Sequence, residues 1–178
     1  NQNWSLVERA YKNLTAGAGT VAKEPLSAID DFFKKNASED YLPPLCFGEN
    51  KFIQDGEAVV FFNFREDSIR ELAESFALPG FNKFPAKNFQ NIFISTFTKY
   101  EEKLNASAAF TSDIITNTLG KVISDAGKTQ LRIAETYKYA HVTYFFNGYR
   151  EPPYKNEYRA LIPSLQTAYA DEEPAMRA

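Results

Sequence analysis

The sequence predicts an α/β protein, and three observations predict it. Apolar runs rich in valine, isoleucine and phenylalanine alternate along the chain with amphipathic helical segments, the pattern of a sheet flanked by helices. The stretch Ala58-Val59-Val60-Phe61-Phe62-Asn63-Phe64-Arg65 shows that alternation at one point. It carries no charge before Arg65 and reads as a strand covered on both faces. The period then switches at once, with Ile69, Leu72, Ala73 and Phe76 on one helical face. Finally, 178 residues with 44% hydrophobic content and 16 phenylalanines suffice to bury a core in one domain or two small ones.

The elements follow in order. Ser5-Leu6-Val7-Glu8 is a capping-box pattern that opens a first helix, whose apolar stripe is Val7, Tyr11 and Leu14 and whose end is marked by Gly17 and Gly19. Pro25 suits the first turn of a second helix running through Leu26, Ile29, Phe32 and Phe33 to Lys34 and Lys35. Residues 40–47 read as a loop with a short extended piece, because Pro43 and Pro44 forbid helix, and 48–56 as turns. After the strand ending at Arg65, Glu66 and Asp67 sit where a helix N-terminus favours negative charge, and Pro79-Gly80 stops that helix. Residues 91–97 form another strand. Residues 101–111 are polar and alanine-rich and read as a connector, with a domain boundary near its end. A helix over about 114–126, a strand over 130–134 and a helix or turn over 135–141 follow. Residues 142–146 suit helix and strand equally. Asn147-Gly148 is a turn, and 160–162 a last short strand.

Charge and composition exclude several function classes. The net charge is −3 with both signs interspersed and no basic stripe, so nucleic acid is excluded as a partner. One cysteine precludes an internal disulfide and a cysteine-rich metal site, which suits a reducing, cytoplasmic setting. No apolar run is long enough to span a bilayer, so no membrane partner is expected. The chain begins at Asn1 without methionine and reads as a piece of a longer protein.

The chemistry-bearing residues are few. A lone His141 and a lone Cys46 give weak grounds for a metal, and Cys46, between apolar neighbours, reads as a small buried hydrophobe. The carboxylate pairs Asp30-Asp31, Glu101-Glu102 and Glu172-Glu173 read as solvated faces. No glycine-rich phosphate loop joins a strand to a helix. Arg65, at the carboxyl end of a strand, is placed to fork onto a phosphate or carboxylate; the alternative is an ordinary pair with Glu66, Asp67 or Glu71. Lys138 and His141 by position alone read as an exposed helix lysine and a packing histidine.

Three collinear stretches add a resemblance. They are Phe61-Phe62-Asn63-Phe64-Arg65; Thr116-Asn117-Thr118-Leu119-Gly120 with the run from Gln130 through Glu135-Thr136-Tyr137-Lys138-Tyr139-Ala140-His141 to Gly148; and Leu161-Ile162-Pro163-Ser164 with Glu173-Pro174-Ala175-Met176. Together with Trp4, Val7, Glu8, Ala10 and Tyr11 they resemble the cofactor-independent (2,3-bisphosphoglycerate-independent) phosphoglycerate mutases of the alkaline phosphatase superfamily over essentially the whole chain. The resemblance implies an internal fragment, with 1–111 the later half of an inserted phosphotransferase-type domain and 112–178 the beginning of the returning phosphatase-type domain. It further implies an isomerase that interconverts 3- and 2-phosphoglycerate in glycolysis and gluconeogenesis through a metal-bound phosphoserine. The two divalent metals, usually manganese, and the serine belong to segments absent here, so no metal and no catalytic residue is expected in this chain, which should be inactive alone.

Residue by residue, Arg65 matches the first arginine of the family's Asn-Phe-Arg-Pro-Asp-Arg motif, which contacts substrate, and Asp67 matches its aspartate. Glu66 replaces the proline and Ser68 the second arginine, so a second cation is missing from its usual place. Arg70 lies about 200° further around the helix and is no obvious substitute. Lys138 matches a family lysine that reaches substrate, while Tyr137 replaces a glutamate, Lys121 replaces a glutamate, and Leu165-Gln166 departs from Pro-Lys. The implied substrate-binding residues are therefore Arg65, Glu66, Asp67, Ser68 and Lys138. The family is typically monomeric, whereas a fragment with exposed sheet edges is prone to oligomerise. The departures keep two other readings in view: an anion-binding or interaction module without the chemistry, and a sister phosphoryl-transfer enzyme.

Overall fold

The computed structural model describes residues 3–35, 42–48, 52–111, 113, 115–165, 174, 175 and 177. The readings made on Asp40, Ile114, Gln166, Glu172, Glu173 and Met176 lie outside them. The chain divides into two compact units, 2–112 and 113–178, and both are α/β.

The first unit opens with helix α1 (Trp4–Ala16), strand β1 (Thr20–Ala22), helix α2 (Pro25–Phe33) and strand β2 (Leu45–Phe47), with β1 and β2 paired in parallel. The cap of α1 is Asn3 rather than Ser5. Asn3 Oδ1 accepts from the Leu6 N–H at 3.4 Å and from Ser5 Oγ at 2.8 Å, and Glu8 instead pairs with Lys12 one turn on. Asparagine is as good a cap as serine, and two candidates two residues apart are not separable by pattern. Gly17, at φ +64°, terminates the helix, and Gly19 lets the chain pass close to Asn13 and the Pro44 carbonyl. Cys46 is buried, as its neighbours predicted, with Sγ 2.6 Å from Asn13 Oδ1.

Strand β3 (Ala58–Phe61), helix α3 (Arg70–Ala77), β4 (Phe93–Thr98) and β5 (Ser107–Phe110) complete the unit. The three strands form one parallel sheet with β4 in the middle. The core lies on one face. Phe61, Ala73, Ala77, Ile94, Tyr100 and Leu104 are buried together, with Val59, Ile69, Leu72 and Phe76 packed against them. Tyr11 of α1 closes the cluster against Phe76 and Phe84.

Two expectations are corrected here. The strand at Ala58–Phe61, β3, is not covered on both faces: Val60 is 58% exposed and Phe62, just past its end, 74% exposed. Alternation along β3 sends Phe61 to the helices and Val60 to the opposite face, where the Phe97 ring meets Phe62 and Phe110 edge to face. Residues 107–110, read as connector, are the edge strand β5. Its Ser-Ala-Ala-Phe sequence has no β-branched residue, so local propensity is silent and the pairing with β4 decides. The link over 99–106 is short for a return between parallel strands, and it is held by burial of Tyr100 and Leu104.

The second unit contains helix α4 (Leu119–Asp125), strand β6 (Gln130–Glu135), helix α5 (Thr136–Ala140) and strand β7 (Glu157–Ile162), with β6 and β7 parallel. Thr118 caps α4, its Oγ1 accepting from the Lys121 N–H, so that helix starts later than its apolar residues suggest. The ambiguous stretch after α5 is a π-helical turn, His141–Phe145, and Asn147-Gly148 turns as expected, with Gly148 at φ +67°. Among the described residues no helix is long and apolar enough to cross a membrane.

Candidate functional site

In each unit a parallel strand delivers a cation to its carboxyl end. In the first unit β3 leaves the sheet after Phe61, runs through Asn63 and Phe64, and presents Arg65 before a turn over 66–69 feeds α3. The Glu66 carbonyl accepts from the N–H of Arg70 at 3.0 Å, so α3 begins one turn later than the acidic residues suggested. Arg65 is paired with Asp67: Nε and Nη2 both donate to Asp67 Oδ2, at 2.9 and 2.8 Å. This is the ordinary ion pair weighed against an anion fork. The two are compatible, because one carboxylate oxygen holding two adjacent nitrogens orients the guanidinium while its side chain stays 70% exposed. Glu66 is half-buried and Ser68 exposed.

The carboxyl end of the neighbouring strand meets this segment. Thr98 Oγ1 donates to the Phe64 carbonyl at 3.0 Å, and the Tyr100 hydroxyl lies 2.7 Å from the Asn63 carbonyl and 3.1 Å from that of Phe61. Burial pushes the Tyr100 hydroxyl above the ordinary tyrosine pKa, and the Glu66 carboxylate adds to that, so it remains a donor at neutral pH. Neither Thr98 nor Tyr100 stood out in the sequence. The available signal was two hydroxyl side chains at the end of a predicted strand.

In the second unit β6 ends at Glu135 and α5 follows without a loop, carrying Lys138, which is exposed. The exit of β7 is tied to this junction: the Ser164 N–H donates to Thr136 Oγ1 at 3.2 Å and Ser164 Oγ to Glu135 Oε2 at 3.3 Å. His141 is exposed and lies against the Phe145 ring. Beneath lies a buried polar network. Glu157 accepts from Asn147 Nδ2 at 2.8 Å, from the Tyr154 N–H at 3.1 Å and from Arg159 Nε at 2.7 Å. Burial works against its charge, but the hydrogen bonds from Arg159, Tyr154 and Asn147 outweigh burial and hold its carboxyl below the ordinary value.

Among the described residues no three histidine, cysteine, aspartate or glutamate side chains come together. The donor set described here therefore does not fit the divalent-metal pair that the resemblance implies for the complete family fold.

The fold and these two junctions define an α/β protein that presents cations at the carboxyl ends of parallel strands, where this class usually binds anionic ligands. Comparison with known proteins narrows the class. The family described as BPG-independent PGAM N-terminus matches residues 1–102. The 2,3-bisphosphoglycerate-independent phosphoglycerate mutase of Ectopseudomonas mendocina is 41% identical over 179 residues, covering 100% of this chain and 35% of that protein. The enzyme of the same name from Antithamnion sp. is 41% identical over 98% of this chain and 34% of its own length. A crystal structure of Leishmania mexicana phosphoglycerate mutase at low cobalt concentration superposes with a TM-score of 0.81 at 26% identity, covering 99% of this chain and 34% of that one. The chain belongs to the 2,3-bisphosphoglycerate-independent phosphoglycerate mutase family, and it spans about a third of the length of the curated relatives it matches.

Proposed function

We propose that this chain is the part of a phosphoglycerate mutase that holds the substrate during interconversion of 3- and 2-phosphoglycerate, in cytoplasmic glycolysis and gluconeogenesis. Residues 1–111 correspond in this reading to the later half of the inserted domain and 112–178 to the beginning of the phosphatase-type domain; the division into units at 112 and 113 supports it. Arg65 and Lys138 are its two substrate cations. Asp67 orients Arg65, and Glu66 and Ser68 border it. The observation that carries the reading is Arg65 at the carboxyl end of a parallel strand with its guanidinium oriented by Asp67. A planar cation so oriented binds a carboxylate or phosphate with little further ordering. The chain offers no nucleophile for the transfer in this reading, so it turns over no phosphoglycerate by itself.

The test is Arg65→Ala in the protein at its full natural length, assayed on 3-phosphoglycerate. The expected kcat/KM falls by about 100-fold or more, the size of losing a positioned charge donor. Unchanged kinetics would overturn the assignment. A non-enzymatic anion-binding module is a second reading, favoured by Ser68, an exposed hydroxyl where the family motif has a cation. It requires this chain alone to bind 3-phosphoglycerate tightly by calorimetry.

A further inference from the structure

We propose that Thr98 and Tyr100 are positioning residues that fix Arg65 for its ligand, an inference that rests on the reading of Arg65 as a substrate cation. The segment carrying Arg65 has lost its sheet partner, because the pairing of β3 with β4 ends at Phe61 and Thr96. It has few apolar anchors either, since the side chains of Phe62 and Phe64 are 74% and 76% exposed and Arg65 itself is largely in solvent. Among the described residues, hydroxyls from the end of β4 and beyond hold its backbone carbonyls. The Tyr100 hydroxyl, with one proton, donates to the nearer Asn63 carbonyl at 2.7 Å and lies 3.1 Å from that of Phe61, and Thr98 Oγ1 donates to the Phe64 carbonyl, the acceptor in the peptide bond to Arg65.

These donors are themselves anchored by burial. Tyr100 is 4% exposed with its ring in the apolar core, and Thr98 is 9% exposed at the end of the central strand. The core position of β4 is thus passed to the Arg65 backbone, and Asp67 completes the constraint at the guanidinium. Removing a hydroxyl leaves a peptide carbonyl to find another donor, and the segment shifts to reach one. A displacement of the order of an ångström at a substrate-holding group costs as much as ~100-fold in rate.

The test is a double-mutant cycle in the full-length protein with 3-phosphoglycerate as substrate. Tyr100→Phe keeps the ring in the core and removes only the hydroxyl. It is expected to raise KM with a smaller change in kcat, lowering kcat/KM by about tenfold in the Arg65 background and by less than about twofold in the Arg65→Ala background. Thr98→Val should act in the same direction, and Thr98→Ser, which retains the donor, should restore most of the loss. Should Tyr100→Phe fail to fold, shown by a lost melting transition, the Thr98→Val and Thr98→Ser pair decides alone. Equal losses in both Arg65 backgrounds, or Thr98→Ser as impaired as Thr98→Val, would overturn the positioning role. A damaged Arg65→Ala with normal Tyr100→Phe and Thr98→Val overturns this inference and leaves the reading of Arg65 intact. A normal Arg65→Ala overturns that reading itself.

Discussion

The two units solve one local problem, a strand that hands a cation to its carboxyl end, with different materials. In the first, six largely apolar side chains from β3, α3, β4 and the 99–106 link pack into a core, with the hydroxyls of Ser75, Thr96, Thr98 and Tyr100 buried around it. In the second, the most buried positions are polar: Asn147, Thr143, Thr118, Gln130 and Glu157, with Ala134 the buried hydrophobe of β6. The lesson is in the kind of precision each provides. Apolar packing tolerates volume-conserving change and is indifferent to pH. A buried network is unforgiving of a lost partner and titrates, yet it fixes the start of β7 against the turn at Asn147, because Glu157 must meet Arg159, Asn147 and the Tyr154 N–H together.

The sharpest way to break that contrast is Glu157→Ala. Its side chain is fully buried and Arg159 would lose its counter-charge, so stability of the second unit should fall by about 4 kcal/mol, measured by denaturant unfolding. A loss below about 1 kcal/mol would mean that the network is not what holds this unit. Phe61→Ala probes the other side and should cost the first unit about 3 kcal/mol through a cavity between β3 and α3. Amide hydrogen exchange would show whether each loss stays within its own unit.

Acid separates the units further. Because the folded-state pKa of Glu157 is depressed, its contribution is present above the unfolded value and is lost as pH falls through the folded one. Exchange protection of β6 and β7 should therefore decline below about pH 4, where an ordinary glutamate protonates, and in Glu157→Gln that part of the decline should vanish. Next in size is Gly120→Ala. The added Cβ would collide with Asn147 Oδ1, forcing Asn147 off Glu157, at about 2 kcal/mol in melting experiments. Smallest is Lys12→Ala, which removes an exposed helix pair with Glu8 and should cost under about 0.5 kcal/mol.

Much of this was legible in sequence where one segment carries its own signal. The proline at the start of α2 and the Pro79-Gly80 stop each act within a few residues and appear where expected, and the strand-to-helix switch around Arg65 is present, although β3 ends at Phe61 and α3 starts only at Arg70. Strand β5 was not legible, because Ser107-Ala108-Ala109-Phe110 has no local preference and takes its form from β4. The exposure of Val60 and Phe62 was illegible for a related reason: an apolar run states that burial is possible, not which face the other elements cover.

The division is the same at the candidate site. Sequence by itself determined that an arginine follows a strand and a lysine follows another, and, through the match to a family, which residue types to weigh. Only the tertiary structure decided that Asp67 rather than Glu66 or Glu71 takes the Arg65 guanidinium, and that Thr98 and Tyr100, more than thirty residues away, hold the carbonyls that lead to it. Strand and helix signals are short-range properties of the chain. Which hydroxyl reaches which carbonyl depends on how strands distant in sequence are set side by side, and no local pattern encodes that.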